Sequence, residues 1–360
     1  MAVAAPSRAD VERVATRLAT TGDHDHDHDH DHGLEDVDPQ AVVALARAEP
    51  AFHRAASGPT RTKSIQDDWS AEFYKRWRQV KGLIRETIVE NDALGLAGGT
   101  MSPTEAAALE VNADDPDWWA DYAADRRCGA VNASAADEFD FPTDDEGAAI
   151  DAFLDWLRGA VDDEVLEVGR RGSSGEPIDR SNWTNVFVRR AYGRGLKFGN
   201  GRLREGGLDV PGIDPSEAFS RPIHAQTLSR LYTRTFRELD GITEAVGQQI
   251  SRRLTEGFAK GWNPRKTARE LNDRVDAIGL TRSRTLARTE TINTHADATL
   301  NRYEDEGVDD VAGKAEFDTA GDSDVCSLCR PLKGEVMSVV EARGLIPIHP
   351  NCRCAWLPVL

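Results

Sequence analysis

Four of the five cysteines in this 360-residue chain fall in its last 35 positions. They stand as Cys326-Ser-Leu-Cys329 and, after 19 intervening residues, His349-Pro-Asn-Cys352-Arg-Cys354. Two residues between donors let one tight turn aim both side chains at a single ion, and zinc favours thiolate and imidazole in a tetrahedral set. Cys326, Cys329, His349 and Cys352 supply four ligands. Cys354 is a fifth candidate: two positions along a strand it points to the same side as Cys352, so it can replace His349 or Cys352. Four filled positions leave none open for a catalytic water, so the expected chemistry is structural zinc. Disulfides are the competing chemistry, and a reducing intracellular compartment disfavours them. Cys128 stands far upstream.

Two further patterns invite chemistry and are read as bland. The tract DHDHDHDHDH, residues 23–32, alternates five histidines with aspartates. His-rich tracts bind metals, but nothing nearby is apolar enough to fix a coordination geometry. The tract therefore reads as solvated chain with weak affinity for divalent ions. The stretch YGRGLKFGNGRLREGG, residues 192–207, suggests turns and close backbone approach. Its spacing matches neither the dinucleotide nor the Walker pattern, so no nucleotide site is expected. No nucleophile and base stand in motif spacing.

Long helices must position the donors. Ile65, Trp69, Phe73, Trp77, Val80, Ile84 and Ile88 recur every three or four residues, one face of an amphipathic helix starting near Lys63. A second helix runs through Ile150, Phe153, Leu154, Leu157 and Val161, and GRRGSSGEP, residues 169–177, reads as a turn or linker. Helical pattern resumes from Trp183 to Tyr192. Residues 213–303 read as almost wholly helical, with Ile242, Val246, Ile250, Leu254 and Phe258 in a four-residue ladder. Asn263 and Pro264 are the expected N-cap and first position of the next helix. A helix over about 281–304 carries LARTETINTHADATLNRY, with an inward seam through Leu286, Thr289, Asn293, Ala296 and Leu300. Its polar members must be paired if buried. After Tyr303 short β-prone runs alternate with turn residues, which predicts a small antiparallel ribbon. The fold class expected is mainly α (α+β): a long-helix domain followed by a zinc-stabilised β-ribbon.

Composition bounds the setting. Hydrophobic residues make up 39% and charged ones 29%, and no run nears the roughly 18 apolar residues of a membrane helix. The N-terminus lacks the order of a secretory signal. The expected location is inside a cell or within a particle assembled there. Net charge is −18, and only eight of the 44 basic residues are lysine. Acid-rich, lysine-poor composition suits a molar-salt cytoplasm, where self-repulsion is screened; a GC-rich genome also favours arginine. Residues 213–303 carry 15 basic and 11 acidic residues, a local +4 that reads as a solvated face more readily than a DNA surface.

LARTETINTHADATLNRYEDEG, FDTAGDSDVCSLCRPLKGEV and IPIHPNCRCAWLPV, in that order, resemble the phage head morphogenesis domain of the Mu F-like, SPP1 minor-head-protein family. The resemblance covers roughly 180–360. It implies a minor capsid protein present in few copies, cytoplasmic during assembly and later in the virion. Its implied partners are the portal, other capsid proteins and the packaged DNA, with no membrane and no small-molecule substrate. The family's motif residues fall on Arg288, Thr289, Glu290, Asn293, Cys326, Cys329, His349, Cys352 and Cys354. Composition then points to a tailed virus or provirus of a haloarchaeon. The organisation expected is a His-Asp-rich, disordered segment at 1–62, a helical region at 63–175 with an acidic insertion at 113–147, and the head domain at 176–360. Within the head domain, helices run to about 304 and the ribbon spans 313–360. The expected role is assembly without catalysis. The rivals are a toxin-related enzyme such as an ADP-ribosyltransferase, and a cellular zinc-ribbon DNA-binding protein. Arg288, Glu290 and Asn293 are expected to tie the helix to the ribbon by charge-assisted hydrogen bonds.

Overall fold

The computed structural model describes residues 58–98, 141–142, 145–167, 182–305 and 314–359. The His-Asp tract, Cys128, most of the acidic insertion and the 169–177 linker lie outside them. The chain divides into two compact units. One comprises Met1–Trp69, Trp183–Tyr232 and Thr285–Leu360, and the other Ser70–Asn182 and Thr233–Arg284.

The second unit is built from helices with one apolar face each. Helix α1, Lys63–Arg85, extends through a π turn at Glu86–Glu90, and from Phe73 to Ile88 its ladder of apolar residues is buried. Helix α2, Glu146–Gly159, starts where the Asp145 carboxylate accepts from the amides of Gly147 and Ala148, so the end of the acidic stretch serves as a cap. Helices α3, Trp183–Glu205, and α4, Pro215–Ala218, precede α5, Pro222–Ala259. The four-residue ladder of α5 is buried from Ile242 to Leu254. Helix α6, Pro264–Arg274, opens on the expected cap, with the Asn263 side chain accepting from Lys266 N–H. A π turn at Val275–Leu280 joins it to α7, Thr281–Asp305. There Gly279 lies flat against Trp77, whose indole N–H donates to Ser283 Oγ at 2.9 Å. A Cβ on Gly279 would stand 2.9 Å from the indole ring.

The first unit departs from the expected pattern in two helices. Helix α3 does not give way to turns after Tyr192 but runs through the glycine-rich stretch to Glu205. The reason is a close crossing with α7. A Cβ on Gly195 would lie 2.4 Å from the His295 carbonyl oxygen and 2.8 Å from Ala298 Cβ, and one on Gly199 3.2 Å from Arg302 Cβ. Tertiary contact outweighs the poor helix propensity of these glycines. Helix α7 does not present a single inward seam: every residue from Glu290 to Tyr303 is buried.

Several of its polar side chains are paired, while Thr294 Oγ1 and His295 Nε2 are buried without a hydrogen-bond partner among the described residues. Asn301 Nδ2 donates to Tyr192 Oη at 2.7 Å and to Thr227 Oγ1 at 2.9 Å. Arg302 donates through Nε and a terminal nitrogen to Asn200 Oδ1, at 3.0 and 2.6 Å. Thr291 and Thr299 donate to carbonyls one turn back.

Three antiparallel strands in the order β2-β1-β3 complete this unit: β1 Lys314–Asp318, β2 Val336–Ser338 and β3 Ala355–Pro358. Glu316 pairs with Val336, and Phe317 with Trp356. Between β2 and β3 a one-turn helix α8, Val339–Ala342, opens on a capping box of Ser338 and Glu341. Phe317 and Trp356 meet edge to face and share a core with Ile292, Ala296, Leu300 and Tyr303 of α7. Tyr303 Oη donates to the Trp356 carbonyl at 3.0 Å. The fold is therefore mainly α with a small C-terminal β-ribbon.

Candidate metal centre

Two turns carry the donors. In the first, Arg330 N–H donates to the Cys326 carbonyl at 3.0 Å and Cys329 N–H to Cys326 Sγ at 3.3 Å. The backbone thus curls around one sulfur while aiming the next at it. The second turn follows from its sequence. Pro350 occupies the second position of a four-residue turn, Asn351 takes the left-handed conformation at φ 64°, and Cys352 N–H closes onto the His349 carbonyl at 3.1 Å. That is a type II turn with the residues it demands.

The structure brings all five expected donors together. Their ligand atoms form two overlapping triads, Cys326/Cys329/His349 and Cys329/Cys352/Cys354, each with all atoms within 4.8 Å of one another. His349 Nε2 lies 3.1 Å from Cys326 Sγ and 3.2 Å from Cys329 Sγ, and the sulfurs of Cys329 and Cys352 are 3.9 Å apart. A tetrahedral zinc site requires donors about 3.8 Å apart for two sulfurs and about 3.5 Å for sulfur and nitrogen. These three distances come within about 0.4 Å of those values. His349 Nδ1 lies 2.7 Å from the Pro350 carbonyl, an orientation that turns Nε2 toward the sulfurs. Cys329, Cys352 and Cys354 are buried, Cys326 is half-buried, and all four are free thiols.

The charges are shared unevenly. A hydrogen bond from Cys329, helped by His349, pulls the Cys326 thiol down to about 4 against the cost of burial. The Cys329 thiol is pushed up, first by that same hydrogen bond and then by Cys352. Burial alone would lower His349, but its hydrogen bond to Cys326 and the negative charge on Cys352 and Cys326 carry it up to about 9. Ionising the remaining thiols at this spacing calls for a cation to offset their repulsion. These residues can hold a metal ion.

Helix α7 meets the second turn through Thr289, whose Oγ1 accepts from Asn351 N–H at 3.1 Å. Glu290 is 1% exposed, and Asn293 Nδ2 donates to its carboxylate at 3.2 Å; Arg288 is half-buried. Sequence reasoning missed a further pair. Arg353, between Cys352 and Cys354, donates to both carboxylate oxygens of Asp322 at 2.6 and 2.8 Å. The guanidinium holds the Asp322 carboxyl below the usual carboxylate range. The one available hint was an arginine placed between two donors.

With this geometry in place, comparison with known proteins adds a span and a name. Residues 248–357 match the family model described as Phage Mu protein F like protein. The span runs from within α5 to β3 and contains the five donors and the Arg288-Thr289-Glu290 motif. Over 163 residues, 43% of this chain, the sequence is 27% identical to the CRISPR-associated endonuclease Cas9 of Corynebacterium diphtheriae. The chain spans 14% of the length of that curated relative. No solved structure matches the chain. No helix among the described residues is long and apolar enough to cross a membrane.

Proposed function

We propose that the chain is a head morphogenesis protein of the Mu F-like, SPP1 minor-head type, a minor capsid component that acts with the portal in prohead assembly and in DNA packaging or delivery. The observation that carries this reading is one co-occurrence. The span matching the Mu F-like family contains the whole donor cluster together with the buried helix on which its second turn rests. The ion is zinc, given four thiols and an imidazole. Its role is structural: five candidate donors, three of them buried, fill four positions, and the ribbon core is packed around them. The protein's task is then contact with portal and capsid proteins, and it has no catalytic step. Packaged DNA is a further partner for the basic 213–303 stretch. The acidic, lysine-poor composition supports a haloarchaeal host.

Mass spectrometry of purified virions and proheads tests the reading. The expected result is this protein at a few copies per particle, co-purifying with the portal when the two are expressed together. Absence from both particles, with no portal association, would sink it.

A further inference from the structure

The geometry points to Asp322 and Arg353 as a latch that sets the two donor-bearing turns at ligand distance. Asp322 stands just before the first donor turn and Arg353 directly after the second. Asp322 lies four residues before Cys326 and is itself fixed, its Oδ1 accepting from Asp324 N–H at 3.2 Å. Arg353 is flanked on both sides by donors, so its backbone cannot shift without moving Cys352 and Cys354. The two parallel hydrogen bonds, 2.6 and 2.8 Å, fix direction as well as distance, because a guanidinium fork meets a carboxylate in one plane.

Neither side chain is buried: Arg353 keeps 21% and Asp322 25% of its surface exposed. A pair so placed adds little to global stability. Its leverage is local. Outer-shell groups that orient ligands typically change metal affinity about 10–100-fold when removed. Asp322 and Arg353 are therefore positioning residues of the metal centre, an assignment that rests on the metal reading above.

The test is zinc affinity, measured on the full chain under reducing conditions by competition with a chromophoric chelator. Asp322→Asn removes the acceptor charge, and Arg353→Lys keeps a cation but loses the fork. Both are expected to weaken zinc binding by about 10–100-fold. Binding should remain saturable to the wild-type stoichiometry, with the melting temperature of the metal-free protein nearly unchanged. Lys333→Gln, an exposed cation of the same ribbon, should bind zinc as the wild type does. Either latch variant binding within about twofold of wild type overturns the latch alone. So does an equal loss in Lys333→Gln, since the effect would then not be specific to the Asp322–Arg353 pair. A wild type that takes up no zinc overturns the metal reading and the latch with it.

Discussion

At the residue scale Cys329 is the hinge of the metal centre, because it is the donor common to both triads. Replacing it with serine substitutes a weak ligand in both sets at once and breaks its contacts with Cys352 and His349. Metal analysis under reducing conditions should find about one zinc per wild-type chain and little in Cys329→Ser. Zinc binding is coupled to folding at such sites, so the variant's melting temperature should fall as well. Equal zinc in both proteins would remove Cys329 from the ligand set. The donors were legible in the sequence because ligand spacing is local: a two-residue gap is a turn, and His-Pro-Asn-Cys spells its type. The Asp322–Arg353 pair was not, since its partners lie 31 positions apart and each looks like an ordinary surface charge.

At the element scale the informative residues are glycines. An interior helical glycine normally costs up to about 1 kcal/mol against alanine, so substitution should stabilise. Gly201 meets that condition, since a methyl group there would find nothing within 4 Å, and Gly201→Ala should raise stability by up to about 1 kcal/mol. Gly195 does not. Its methyl would collide with the backbone of His295 at 2.4 Å, and backbone cannot swing aside as a side chain does. Overpacking of this kind costs roughly 1–3 kcal/mol, which exceeds the propensity gain, so Gly195→Ala should destabilise. Chemical denaturation of the two variants side by side checks the opposite signs. The same contrast explains which helices could be read from sequence. Helix α1 shows a clean period because one face is buried. Helix α3 breaks its pattern with glycines whose partners lie about a hundred residues on. Helix α7 is buried on every side from Glu290 to Tyr303 and carries polar residues there, some bonded to other helices, so no single apolar face marks it.

At the scale of the whole molecule, those buried polar groups make acid stability a property of the fold. His295 is fully enclosed, packed against the Phe198 ring, and burial lowers its pKa to about 3, with Arg194 adding to the effect. His224, also fully buried, is lowered by burial, which outweighs the opposing pull of Asp305. Both imidazoles resist protonation in the folded chain and are free to protonate at about 6.5 once it unfolds. A depressed folded pKa gives stability that is complete above the unfolded value and is lost as pH falls through the folded one. For His295 that window runs from about 6.5 down to about 3. Within it a single such group contributes a slope approaching about 1.4 kcal/mol per pH unit. Acid also protonates metal ligands and releases zinc, so the measurement belongs on chelator-treated protein. Denaturant unfolding of that protein should show stability falling steadily below about pH 6.5, and His295→Leu should flatten the fall by roughly the slope of one group. An unchanged slope in the variant would mean that His295 is not neutral and enclosed in the folded chain.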